Sequence, residues 1–99
     1  LKILPDVPTM AEAGYQGGME FSLWSGLYAP KGTPKEIVNV VNRAVVAALA
    51  DPKVRERLES QAIEIAAREK QSPEALAAIQ HAEIRKWWPI IEAAGIKPQ

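Results

Sequence analysis

The 99-residue sequence predicts a small α/β domain, and three observations predict it. Two segments, 20–29 and 62–66, have the composition of strands. Four others carry helix caps followed by apolar residues at helical spacing. Read in order, the chain runs short helix, strand, helix, helix, strand, helix, the alternation expected of α/β proteins. Two helices lie between the two strands, so a parallel, right-handed crossover is expected. A single domain, 1–99, follows: a turn, short helix and strand over 1–28, then helices and one short strand over 33–95.

The elements are justified in turn. Thr9 and Glu12 have capping-box spacing, in which each side chain reaches the other residue's backbone amide. Pro8 sets an extended approach, and Gly14 stops the helix after little more than one turn. The strand 20–29 is rich in aromatic and apolar residues, bounded by Gly17-Gly18 and Pro30-Lys31-Gly32. Thr33-Pro34-Lys35-Glu36 reads as a second capping box, with proline at the first helical position.

The helix from Pro34 to Ala50 places Ile37, Val41, Ala44, Val45, Ala48 and Leu49 on one face, widened by Val38 and Val46. It is expected to be the most buried helix. Asp51-Pro52 restarts the chain, and residues 52–60 form a charged helix with Val54 and Leu58 inward. Ala62 to Ala66 alternates as a strand, with Ile63 and Ile65 on one face. Ser72-Pro73-Glu74 caps a last helix that runs to Ala94. Leu76, Ile79, Ile84, Trp87, Trp88 and Ile91 supply its apolar surface. Pro89 removes a backbone donor and should kink it near Arg85, and Gly95 ends it. Adjacent helix positions diverge by about 100°, so Trp87 and Trp88 should lie on different faces.

Composition narrows the function classes. Twelve basic and twelve acidic residues balance, with no basic run, which argues against nucleic acid as a partner and against a polybasic membrane patch. There is no cysteine, so thiolate metal sites, disulfides and cysteine nucleophiles are excluded. No apolar run nears the roughly 20 residues that span a bilayer, so no direct membrane insertion is expected. The only histidine, His81, has no converging ligands and reads as a surface residue; no metal site is expected. Gly-x-Ser-x-Gly, phosphate-loop and dinucleotide motifs are absent. Glu56 and Glu59 lie beside Arg55 and Arg57, a solvated charged face rather than an acid–base pair. The chain reads as no enzyme and as needing no cofactor.

The strand 20–29 is the candidate ligand-binding element. Alternation sends Ser22, Trp24, Gly26 and Tyr28 to one side and Phe21, Leu23, Ser25 and Leu27 to the other. The second set reads as core. The first combines a hydroxyl, an indole N–H and a glycine that permits close approach, which suits a small polar ligand in an apolar wall. Ser22, Trp24 and Gly26 are the candidate contacts. The competing and more economical reading is that Trp24 packs beneath a loop and bonds a carbonyl.

The ordered set Val7-Pro8-Thr9, Glu12, Gly14, Trp24, Gly26-Leu27, Ala29-Pro30, Gly32-Thr33-Pro34, Ala50-Asp51-Pro52, Ser72-Pro73-Glu74, Trp87 or Trp88, and Ala94-Gly95-Ile96 resembles the C-terminal part of the Bug-type extracytoplasmic solute receptors. These are the substrate-binding proteins of tripartite tricarboxylate transporters. The resemblance implies the C-terminal portion of a type II periplasmic-binding-protein fold, with few strands flanked by helices. Such receptors run to on the order of a few hundred residues in two lobes, of which this chain would be the last third. It implies a periplasmic protein that captures a small carboxylate solute and presents it to membrane transporter subunits. It also implies that strand 20–29 crosses near the interlobe boundary, and that most ligand-contacting loops lie upstream. The rival reading is an autonomous protein-interaction module with no small ligand, using exposed apolar surface that includes Trp87 or Trp88.

Overall fold

A computed structural model describes residues 3–17 and 22–97. Their regular elements are helices: α1 (Lys35–Ala50), α2 (Pro52–Ser60), a 3-10 turn (Arg68–Lys70) and α3 (Pro73–Ala93). The expected α/β fold, with few strands flanked by helices, is therefore not seen. No strand occurs among the described residues, and residues 20 and 21 of the first expected strand lie outside them. The physical reason lies in partners rather than in local chain shape. A strand exists only by bonding to another strand, and an isolated pair is marginal even when it forms. Residues 22–29 make no backbone hydrogen bond to any other segment among those found.

The second expected strand fails for a further, local reason. At the end of α2, the Ile63 amide donates to the Leu58 carbonyl and the Ala62 amide donates to the Glu59 carbonyl, both at 3.0 Å. This is the Schellman arrangement. It claims Ala62 as the left-handed residue beyond the helix, at φ 59°, and so removes it from any strand. The same pair of bonds closes the turn at Gly14, from Tyr15 to Met10 and from Gly14 to Ala11, and ends α3, from Ile96 to Ile91 and from Gly95 to Glu92. In those two cases glycine occupies the left-handed position.

Helix starts follow side-chain chemistry. Asp51 Oδ1 accepts from the Lys53 and Val54 amides at 2.8 and 3.3 Å, with Pro52 in the first turn where its missing N–H is harmless. Ser72 Oγ accepts from the Ala75 amide at 3.1 Å. At Thr9, both halves of the expected capping box are present: the Thr9 amide donates to Glu12 Oε2 at 2.7 Å and the Glu12 amide donates to Thr9 Oγ1 at 3.2 Å. The expected box at Thr33 does not form. Its hydroxyl donates backward to the Pro30 carbonyl at 2.7 Å, closing a turn in which Gly32 adopts φ 87°. Pro34 is then the N-cap of α1, without a side-chain cap.

α1 touches both α2 and α3. Its inward face carries Val38, Asn42, Val45, Val46 and Leu49, all half-buried, whereas Ile37, Val41, Ala44 and Ala48 face outward. The sequence expected all of Ile37, Val41, Ala44, Val45, Ala48 and Leu49 on the covered side; four of these six are exposed. No described residue is fully buried. The Cα radius of gyration, 16.9 Å, exceeds the ~13 Å of a compact 100-residue domain. The arrangement is open, with its helices joined at few points.

One of those points is polar. Asn42 Nδ2 of α1 donates to the Gln71 carbonyl at 3.0 Å, and Gln71 Nε2 donates to the Ala66 carbonyl at 2.7 Å. These two bonds hold the connection that leads into α3 against the middle of α1. A second polar link joins α2 to the end of α1: Arg55 Nη1 donates to the Leu49 carbonyl at 3.2 Å.

Replacing Ala62 by glycine should stabilise the chain by about 1 kcal/mol, because the left-handed conformation carries a steric cost for any Cβ. A urea titration followed by circular dichroism measures this. The same titration should show Asn42→Ala losing about 1 kcal/mol, the net worth of one half-buried hydrogen bond.

Candidate ligand-binding segment

The site is built on residues 22–28, which follow the capped turn at 9–15 and precede the Pro30–Thr33 turn. Their backbone is free of regular structure. Two prolines, Pro30 and Pro34, fix φ on either side of the link into α1. The segment lies over the first part of α3. A Cβ placed on Gly26 would meet the two terminal carbons of Leu76 at 3.0 and 3.1 Å, and Tyr28 Cε2 at 3.0 Å. Glycine is therefore the residue that lets this backbone come down onto α3, a close approach that any side chain would hold apart.

The expected division into a covered and an open side is not seen: every residue from 22 to 30 is exposed. Leu23 and Leu27, assigned to the core by alternation, are 94% and 67% exposed, whereas Trp24 is 41% exposed. Phe21 lies outside the described residues. Gly26, from the set that alternation proposed for ligand contact, is the one that packs on Leu76. Ser22 is exposed. Ser22, Trp24 and Gly26 thus share one short stretch, and the packing of Gly26 ties that stretch to α3.

The other chemistry-bearing residues do not join them. His81 is exposed on α3, and no cluster of three metal-ligating side chains occurs among the described residues. Trp87 and Trp88 divide as their spacing requires: Trp87 is half-buried and Trp88 exposed. Trp87 Nε1 donates to Glu83 Oε2 at 2.6 Å, one helical turn back, and the Lys86 ammonium sits 5.2 Å from the Trp87 ring centroid. The indole N–H is thereby committed within its own helix, a pairing that the i, i+4 spacing of Glu83 and Trp87 makes legible in the sequence. A separate hollow of about 230 Å³ lies among Ile3, Arg55, Glu59, Ala62, Ile63, Glu64 and Ile65. It is smaller than the ~300 Å³ of ordinary ligand sites, and its cation is already engaged: Arg55 holds the Leu49 carbonyl and lies 3.9 Å from Glu59. Among the described residues, no helix is long and apolar enough to cross a membrane.

Residues 1–96 match the family described as the tripartite tricarboxylate transporter family receptor. The chain belongs to that receptor family. It is 40% identical over 88 residues to a UPF0065 protein from a Pseudomonas species, covering 89% of this chain and 25% of the relative. It is 38% identical over 95 residues to a UPF0065 protein from Agrobacterium vitis, covering 96% of this chain and 27% of the relative. Protein BugT from Bordetella pertussis is 36% identical over 96 residues, covering 94% of this chain and 27% of that protein. The chain therefore spans about a quarter of the length of these three relatives. No solved structure matches it. The resemblance carried by the Val7-Pro8-Thr9 to Ala94-Gly95-Ile96 series is thus correct as to family, and the family is one of transport receptors rather than of enzymes.

One titration is expected in this region. The Thr9 amide, and then the Thr9 hydroxyl, hold the Glu12 carboxyl below the usual glutamate range. A depressed folded-state pKa means that the cap's contribution is complete above the ordinary glutamate value of about 4.3 and is lost as pH falls through the lower folded value. A carbon-detected NMR titration should show the Glu12 carboxyl titrating below the ordinary glutamate value, with the Thr9 amide resonance moving at the same midpoint.

Proposed function

We propose that this chain is the C-terminal part of a periplasmic solute receptor. In the intact protein, two lobes would close on a small carboxylate-bearing solute and present it to the membrane subunits of a tripartite tricarboxylate transporter. The observation that carries this reading is the family match over residues 1–96. Its support within the chain is the segment 22–28, where a hydroxyl, an indole N–H and a glycine backbone stand together at the start of the link into α1. Donors of this kind hold a carboxylate through hydrogen bonds, directly or through ordered water, without a full counter-charge. Closure by both lobes would be a hinge motion driven by the contacts each makes with the solute.

In this reading Trp24 lends its indole N–H and an apolar wall, Ser22 a hydroxyl, and Gly26 the close seat on α3. Most other contacts would come from the remainder of the receptor, so the 99-residue chain alone should not bind at low micromolar affinity. A second reading, a protein-interaction module with no small ligand, draws on the exposure of Ile84 and Trp88, which are one turn apart on α3.

The test uses a receptor in which the matching segment of BugT is replaced by this chain, titrated calorimetrically with a panel of mono-, di- and tricarboxylates. At least one should bind, and Trp24→Ala should weaken it about tenfold, the equivalent of ~1.4 kcal/mol. If no member of the panel binds, the solute reading fails and the interaction module is favoured.

A further inference from the structure

α1 has two apolar faces, and only one of them is covered. Val38, Val45, Val46 and Leu49 face the other helices. On the opposite side Ile37, Val40 and Val41 are 52%, 53% and 42% exposed, and Ala44, Ala47 and Ala48 continue the surface without a charge between them. From Ile37 to Ala48 the stripe runs through three turns, roughly 16 Å of helix. A helix apolar on both sides is the pattern of one buried on both sides, and a contiguous apolar stripe of this length is unusual on a free surface. The stripe also changes in bulk. β-branched side chains fill its N-terminal half and alanines its C-terminal half, so a covering element can approach the α1 backbone most closely near Ala44 and Ala48.

We infer that the Ile37–Val41–Ala44–Ala48 face of α1 is an interior surface of the intact receptor, covered by the part of the receptor that this chain does not include. The occupant follows from length: the chain accounts for 25–27% of the relatives named above, so a receptor of that size carries roughly three times as much further chain, against an apolar face whose Ile37, Val40 and Val41 are about half exposed. The inference rests on the proposed reading that the chain is part of such a receptor. It adds that α1 is a central helix of the receptor lobe rather than a peripheral one.

The BugT-based receptor described above supplies the experiment. Val41→Asp in that protein should lower the thermal midpoint by on the order of 10 °C, since an uncompensated carboxylate would be placed in an apolar interior. Lys53→Gln, at an exposed position off this face, should shift it by about 2 °C at most. In the 99-residue chain alone, V41D should leave the unfolding midpoint unmoved and the chain monomeric by sedimentation. A replaced receptor that does not fold overturns the inference, as does one whose midpoint V41D does not lower. If the 99-residue chain forms a concentration-dependent dimer that V41D dissolves, the face belongs to a second copy and the inference is also overturned. Carboxylate binding is read separately on the same folded protein. A receptor that is sensitive to V41D yet binds no solute keeps this inference and removes the solute reading alone.

Discussion

The hydrogen bond from Asn42 to the Gln71 carbonyl is the constraint on which the placement of α3 depends. α1 and α2 are joined by a single capping residue, Asp51, so their relation is local. α3 is different: residues 61–72 intervene, and they contain only a 3-10 turn. Such a connection has many conformations of similar energy, and ordering it costs entropy at every residue. Asn42 offsets part of that cost from half-buried ground, and Gln71 returns its own side chain to Ala66. One amide pair thereby fixes the start of α3, on which Leu76 waits for Gly26. The position of the candidate segment thus traces back through α3 to a polar contact on α1.

Helix ends were legible in the sequence because their chemistry spans three or four residues. Asp51, Ser72 and Gly95 act at helix ends where the spacing places them, whereas Thr9, Glu12 and Gly14 close a hydrogen-bonded turn in place of the short helix expected over 9–13. Thr33 looked the same and behaved otherwise. A hydroxyl can donate as well as accept, and the Pro30 carbonyl was nearer to hand than the start of α1. Ala62 was illegible for a different reason: the left-handed position normally announces itself by glycine, and here the bond pattern of α2 imposes it on alanine. The strands could not be read from their own residues at all. Extended backbone is local, but a sheet is a relation between segments, and the 22–29 stretch has no bonded neighbour among the described residues.

Of the candidate site, the sequence makes legible only the grouping of Ser22, Trp24 and Gly26 in one short stretch. Alternation set Trp24 and Gly26 opposite Leu23 and Leu27, but residues 22–30 are all exposed, so burial does not distinguish the two sides. Which side faces inward depends on what lies beneath, and the segment rests on α3 through Gly26. Periodicity likewise found the apolar residues of α1 without saying that they form two faces rather than one broad stripe. The family was the most legible property, because it was carried by an ordered series of turn and cap residues along almost the whole chain and did not depend on burial.

The short link between the candidate segment and α1 has a mechanical consequence. Pro30 and Pro34 each lock one torsion, and Thr33 grips the Pro30 carbonyl with both its amide, at 3.2 Å, and its hydroxyl, at 2.7 Å. Only Lys31 and Gly32 lie between these clamps, and the turn holds them as well. The link therefore behaves as a stiff coupler rather than a pivot: a torque applied to residues 22–28 is passed to α1 with little slack. Relative rotation of larger parts has to be taken up elsewhere along the chain.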